Sequence, residues 1–240
     1  MNSIIRSLTA AAGLVALVGC STTGDSVASN TSRAQFLNEV WVSPEIHGKA
    51  VSDLYTSVYF APVTVGHLKE QSWWASQNVR TQEHLTSDAL RLAHHMHNSL
   101  ITAAHYYPEK RMHVVMQPGP GTLVVETSIT ELVPAKAFWN AAATAAGFMV
   151  PGAGVLGAAG KGAIGFEGRL RDGHTGAVIA DFRHRALDKM ALVNVDSYTW
   201  YAGSEANIDE IAERTAKVLN TPAETVVNRP VPVKLVAFSL

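Results

Sequence analysis

Residues 163–185, AIGFEGRLRDGHTGAVIADFRHR, decide the fold, because they predict a β-hairpin without help from the rest of the chain. The loop at 172–176, DGHTG, combines an aspartate with two glycines, the residues that tight turns between antiparallel strands select. On either side of it, apolar side chains recur along one face of each segment: Ile164, Phe166 and Leu170 before the turn, and Val178, Ala180 and Phe182 after it. Such spacing is typical of half-buried strands.

Further strands are predicted upstream of the hairpin. Residues 123–130 alternate apolar and polar positions and end before Pro134, and residues 58–61 form a short apolar and aromatic run. Residues 112–116 are a shorter strand candidate. Residues 34–43, in contrast, favour a short helical piece.

Two amphipathic helices complete the predicted domain. The first covers residues 81–104, where apolar residues recur at spacings of three and four: Leu85, Ala89, Leu92, Met96, Leu100 and Ala103. The second is expected to begin at Asn207, with Glu210 completing a capping box, and to stop at Asn220 and Pro222. These elements predict an α+β domain, a mostly antiparallel sheet of about five strands with two main helices packed on one face.

The N-terminus carries an export signal. Arg6 precedes an apolar run at residues 8–18, which is shorter than the roughly 20 apolar residues needed to span a bilayer. Gly19 is the small residue expected at a cleavage site. The next residue, Cys20, is the only cysteine of the chain, and residues 17–20, LVGC, resemble the Leu-x-Gly-Cys lipobox of bacterial lipoproteins.

The lipobox implies covalent lipid and no other cofactor. It implies that residues 1–19 are removed, and that Cys20 receives a diacylglycerol thioether and an N-acyl chain. Because Ser21 is not an aspartate, the signal implies onward export to the outer membrane, facing the periplasm. Residues 20–33, rich in Ser, Thr and Asn, are predicted to be a flexible tether, and residues 34–240 a single periplasmic domain.

Composition and motifs exclude several classes of function. The formal net charge of −1 and the lack of a basic stripe exclude a nucleic-acid partner. Acylation of Cys20 would remove the one thiol, which excludes disulfides and cysteine catalysis. No serine stands in a Gly-x-Ser-x-Gly elbow, and we assign Asp172 and His174 to the hairpin turn rather than to an acid–base pair.

The first predicted helix is rich in histidine. His94 and His97 are three residues apart and share a face, while His95 points about 100° away. Two imidazoles make a weak metal site, because a closed zinc site needs four ligands. We interpret this face of the helix as exposed to solvent. The alternative function is that of a periplasmic hydrolase or metal-binding protein that uses these histidines.

An uncharged segment rich in alanine and glycine covers residues 137–160. It predicts either an apolar crossover beneath the sheet or an exposed surface for self-association or membrane contact, with Phe148 in its middle. Gly154 and Gly157 are three residues apart, a spacing that permits close backbone packing. Large aromatic residues are candidates either for a partner surface or for the core: Trp73, Trp74 and Trp139.

Four short motifs are spread along the chain: FLxxVWVxPE at 36–45, YFAPV at 59–63, GKGAIGFEG at 160–168 running into the turn, and YTWY at 198–201 ahead of IDE at 208–210. Together they resemble an uncharacterised bacterial lipoprotein family, the domain of unknown function numbered 3313. The resemblance implies an envelope lipoprotein without an assigned activity, and it supplies no catalytic residues. We therefore expect a non-enzymatic protein, held at the membrane by its lipid anchor, that binds an envelope protein partner or a second copy of itself.

Overall fold

A six-stranded sheet forms the centre of the domain. A computed structural model describes residues 33–66, 68, 72–75, 78–133, 162–187 and 201–228. Its strands are β1 (Glu39–Val42), β2 (Ser57–Phe60), β3 (His113–Val114), β4 (Thr122–Val133), β5 (Ala163–Asp172) and β6 (Val178–Leu187). They lie in the order β1-β6-β5-β4-β2-β3, antiparallel from β1 to β4 and parallel from β4 to β3. The predicted α+β class is confirmed, with six strands instead of about five.

The predicted hairpin is confirmed as β5 and β6, and Asp172 holds its turn. Asp172 Oδ1 accepts hydrogen bonds from the backbone N–H of Thr175 at 2.7 Å, the Thr175 hydroxyl at 2.9 Å and the backbone N–H of His174 at 3.0 Å. These hydrogen bonds lower the pKa of Asp172 because they stabilise the ionised carboxylate, and the bond from the backbone N–H of Thr175 has the largest effect. The Asp172 carboxylate therefore shapes the loop, as the sequence predicted.

Two long helices pack on the sheet. The helices are α1 (Val51–Leu54), α2 (Ser72–Ala75), α3 (Val79–His105) and α4 (Ala202–Asn220). The apolar stripe predicted for α3 is confirmed, since its side chains are buried at Leu85, Ala89, Leu92, Met96 and Leu100. None of the helices in the described ranges has both the length and the apolar character that crossing a bilayer requires.

The predicted start of the second long helix at Asn207 is wrong. Helix α4 begins at Ala202, five residues earlier than the capping pattern indicates. Asn207 is only 4% exposed, and its Nδ2 donates a hydrogen bond to Leu187 O at 3.2 Å. The side chain that resembles a cap thus binds the end of β6. The predicted stop is confirmed, because the helix ends at Asn220.

The helical piece predicted within residues 34–43 is also wrong, because residues 34–38 form a bridge and a turn and Glu39–Val42 form strand β1. This strand pairs antiparallel with β6, and the N–H groups of Asn38 and Ser43 extend the pairing by donating to Arg183 O and Ile179 O. The free edge of β6 supplies backbone partners that a short isolated helix lacks. Long-range hydrogen bonding therefore overrides the local helical pattern here.

Gly168 gives the hairpin a close contact that no other residue can make. On β6, Phe182 stands directly opposite Gly168, and a Cβ built on Gly168 would lie 2.1 Å from Phe182 Cζ. We expect Gly168→Ala to lower the free energy of unfolding by about 2 kcal/mol, because the partly buried ring must leave its position against the core. Urea unfolding followed by circular dichroism measures this change.

Gly119→Ala is the matched control for this substitution. A Cβ at Gly119 would meet no atom within 4 Å. We expect its stability to stay unchanged or to rise by about 0.5 kcal/mol, because alanine restricts the unfolded chain. Equal losses in the two variants would contradict the packing of Phe182 on Gly168.

Candidate functional site

The predicted lipidation site and most residues predicted to form an interaction surface lie outside the described part of the chain. This holds for Cys20, Trp139, Phe148, Gly154 and Gly157. It also holds for the whole alanine- and glycine-rich segment of residues 137–160. Their predicted roles stay predictions.

The tryptophan pair falls on the short helix α2. Trp74 is 2% exposed and belongs to the hydrophobic core, so it does not form a partner surface, the other alternative given for it. The side chain of Trp73 is outside the described part. Of this pair, only Trp73 stays a candidate for a partner surface.

The histidines of α3 lie in different environments. His94 is exposed, while His97 Nε2 donates to the Phe60 backbone oxygen of β2 at 3.1 Å. His95 turns towards α4, where its Nε2 lies 2.9 Å from Asp209 Oδ1. Within the described ranges, no three potential metal ligands come together.

A groove of about 700 Å³ runs between α3 and α4. The two helices are parallel, since Arg91 of α3 pairs with Glu205 near the start of α4, and His95, one turn later, pairs with Asp209. Both helices therefore end at the same side of the domain. The groove is open to solvent, and the side chain of Tyr106, at its far end, is 76% exposed.

Ser99, His95 and Asp209 meet in this groove, but they are not connected as a catalytic triad. The Ser99 hydroxyl donates to Asp209 Oδ1 at 2.7 Å, and the imidazole of His95 contacts the same oxygen. In a triad, histidine lies between the other two and takes the proton of the serine. Here the carboxylate lies in the middle, so Ser99 has no base. The cluster ties α3 to α4.

The face of the sheet opposite the helices carries a lattice of charges. Close ion pairs join neighbouring strands at Arg169 with Asp181, 2.7 Å, and at Arg171 with Glu126, 2.9 Å. A third pair, Arg185 with Glu131 at 2.6 Å, joins β6 to β4. Arg185 and Glu131 meet across β5 because Gly165 lies between them, where a Cβ would come within 2.9 Å of Glu131 Cβ. Because each of these arginines is paired with a carboxylate, their positive charges are balanced and do not form an anion-binding site.

Arg33 fixes the base of the predicted tether. Its guanidinium donates to the carbonyl oxygens of Val218 at 3.2 Å, Thr221 at 2.6 Å and Thr225 at 3.4 Å. The contacts with Val218 and Thr221 satisfy carbonyls at the C-terminal end of α4, and the contact with Thr225 holds the turn that follows it. Desolvation by burial lowers the pKa of Arg33. The chain therefore enters the domain at the side where α4 ends. No local pattern in residues 20–33 indicates this contact.

Comparison with known proteins identifies a family over most of the chain and gives weak likenesses to solved structures. The model of a family described as a protein of unknown function, DUF3313, matches residues 30–215. No curated protein matches the sequence. Among solved structures, the PelC dodecamer from Paraburkholderia phytofirmans is 12% identical with a TM-score of 0.39, over 76% of this chain and 96% of that one. The hypothetical protein CT253 from Chlamydia trachomatis is 13% identical with a TM-score of 0.31, over 69% and 98%. Structural likeness at these TM-scores gives no information about function.

Proposed function

The chain belongs to the DUF3313 family of proteins of unknown function, and on that premise we propose that it is an outer-membrane lipoprotein with a non-enzymatic, partner-binding domain. The observation that carries the proposal is Cys20, the single cysteine, placed at the end of residues 17–20, LVGC. The lipid on Cys20 is then the one covalent group of the mature protein. The domain faces the periplasm.

The contact between Arg33 and α4 fixes the point at which the proposed tether joins the domain. A tether of residues 20–33 has a relaxed span of about 20 Å and a fully extended one of about 40 Å. Because its last residue is pinned to the end of α4, the side where α3 and α4 end lies nearest the lipid.

A binding role is supported by how the polar residues of the helices are used. Asp209 joins Ser99 to His95 in a structural cluster, and His97 binds the backbone of β2. The proposed partner is an envelope protein or a second copy of the chain. The surfaces proposed to hold it are residues 137–160 and the tryptophans Trp73 and Trp139.

Lipid attachment is tested by growing a Gram-negative host with an alkyne-bearing palmitate. We expect the label on the processed chain. By mass spectrometry this chain should start at acylated Cys20, and it should sediment with outer membranes. An unlabelled chain recovered in the soluble periplasm would overturn the proposed anchor.

The binding role is tested by placing a photo-crosslinking amino acid at Phe148 in the same cells. A discrete protein adduct, or a covalent dimer, is the expected result. A crosslinker at Glu167, on the balanced face of β5, is the control and should give no such product. If Phe148 gave only intramolecular product, residues 137–160 would not be the partner surface.

A further inference from the structure

We propose that the loop after α3, residues 106–111, lies against the lipid surface that holds the anchor, with the ring of Tyr106 at the boundary between lipid and water. This contact rests on the proposed function for its lipid anchor, and it adds the part of the folded domain that the lipid meets. It follows from where the chain enters the domain, which side chains are exposed there, and how far away the opposite end of α3 lies.

The first support is the position of the loop beside the point where the tether enters. Arg33, the residue at which the tether ends, donates a hydrogen bond to Thr221 O at 2.6 Å. One residue earlier, at the end of α4, Asn220 Oδ1 accepts a hydrogen bond from the backbone N–H of Arg111 at 2.7 Å. The tether and the loop therefore meet the same end of α4. A relaxed tether keeps the lipid on Cys20 within about 20 Å of this end.

The second support is the exposed aromatic ring of the loop. The Tyr106 side chain is 76% exposed, and its ring meets the ring of His105 edge-on, with the centroids 4.8 Å apart. Lys110 folds back to the same place, where its Nζ donates to His105 O at 3.5 Å. Tyrosine and lysine together are typical of membrane interfaces, because each has an apolar body that enters lipid and a polar tip that stays in water.

Two further apolar side chains are exposed around the entry of the tether, Leu54 and Val226. Leu54 ends α1, and the carboxylate just before it pairs with Arg111 at 3.2 Å. Val226 follows Thr225, whose carbonyl oxygen accepts a hydrogen bond from Arg33. Apolar side chains exposed around a point of lipid attachment suit a lipid surface, because contact with lipid removes their area from water.

The third support is the distance to the opposite end of α3. Val79, the first residue of the helix, is 73% exposed, so exposure alone does not select Tyr106. Val79 lies about 40 Å from Tyr106 along the helix, at 1.5 Å per residue. A relaxed tether of about 20 Å spans half of that distance. Only a tether stretched along the side of the domain would bring Val79 to the lipid, so the end that carries Tyr106 is the one that meets it.

The test places a polarity-sensitive fluorophore on the acylated, processed chain in vesicles of equal parts phosphatidylethanolamine and phosphatidylglycerol. Because acylation occupies Cys20, the only cysteine, an introduced cysteine is the one thiol that reacts. Glu109→Cys puts the label in the loop and keeps Tyr106, whereas Val79→Cys puts it at the opposite end of α3, and both positions are exposed. We expect a blue-shifted emission and a loss of iodide quenching for the label at position 109. The label at position 79 should be quenched as fully as the fluorophore in water.

Tyr106→Asp isolates the contribution of the ring. Combined with Glu109→Cys, it should restore iodide quenching, because a carboxylate stays out of lipid. Val79→Asp, combined with the same labelled position, is the matched control and should leave the label protected. Equal quenching at positions 109 and 79, on chains that float with the vesicles, would overturn the contact and leave the lipid anchor standing. A chain that does not float with the vesicles would overturn the anchor and the contact together.

Discussion

Cys20→Ala is expected to lose the palmitate label completely and to leave the outer-membrane fraction. Each buried lipid CH₂ contributes about 0.8 kcal/mol, and a single myristoyl chain gives only marginal binding, with an association constant of about 10⁴ M⁻¹. The proposed lipobox would place a diacylglycerol and an N-acyl chain on Cys20, which is enough for stable anchoring, and alanine accepts neither. Density-gradient separation of inner and outer membranes, with the label read in each fraction, measures the effect.

Ser21→Asp is the control that separates acylation from sorting. Cys20 remains intact in this variant, so we expect full palmitate labelling. The aspartate after the cysteine should retain the chain in the inner membrane, because Ser21 is the residue predicted to direct onward export. A Cys20→Ala chain that stayed in the outer membrane would contradict lipid anchoring.

The elements that depend on interactions between residues close in sequence could be predicted from the sequence. The β5–β6 hairpin follows from its turn, where Asp172 bonds residues two and three positions ahead. Helix α3 follows from its apolar period, and the end of α4 follows from Asn220 and Pro222. In each case the interactions that decide the structure lie within a few residues of one another.

The elements that depend on contacts between residues far apart in sequence could not be predicted. Strand β1 forms because it pairs with the edge of β6. Asn207 does not cap a helix because its side chain donates a hydrogen bond to the backbone oxygen of Leu187. The groove depends on the relative rotation of α3 and α4, which brings Asp209 to His95 across more than one hundred positions of sequence. The histidine pattern indicated a polar face on α3 but contained no information about α4.

Asn220→Ala is expected to lower the free energy of unfolding by about 3 kcal/mol, the largest loss among the stability predictions. Asn220 is 3% exposed, and its Oδ1 accepts hydrogen bonds from the backbone N–H of Arg111 at 2.7 Å and of Met112 at 3.1 Å. Its Nδ2 donates to Ala216 O at 2.9 Å. Alanine would leave both backbone N–H groups without this partner, at a buried position for Met112 and a part-buried one for Arg111. An unsatisfied buried N–H costs about 1–3 kcal/mol.

Asn207→Ala is the matched control, because it truncates the other buried asparagine of α4 and removes one bond of 3.2 Å. We expect it to cost about 1 kcal/mol in urea unfolding. Asn220→Asp should fall between the two variants, since it keeps the acceptor for both N–H groups and loses the donor. Equal losses in Asn220→Ala and Asn207→Ala would mean that water replaces the Asn220 carbonyl. The segment after α3 would then be held by apolar packing of Met112 rather than by this side chain.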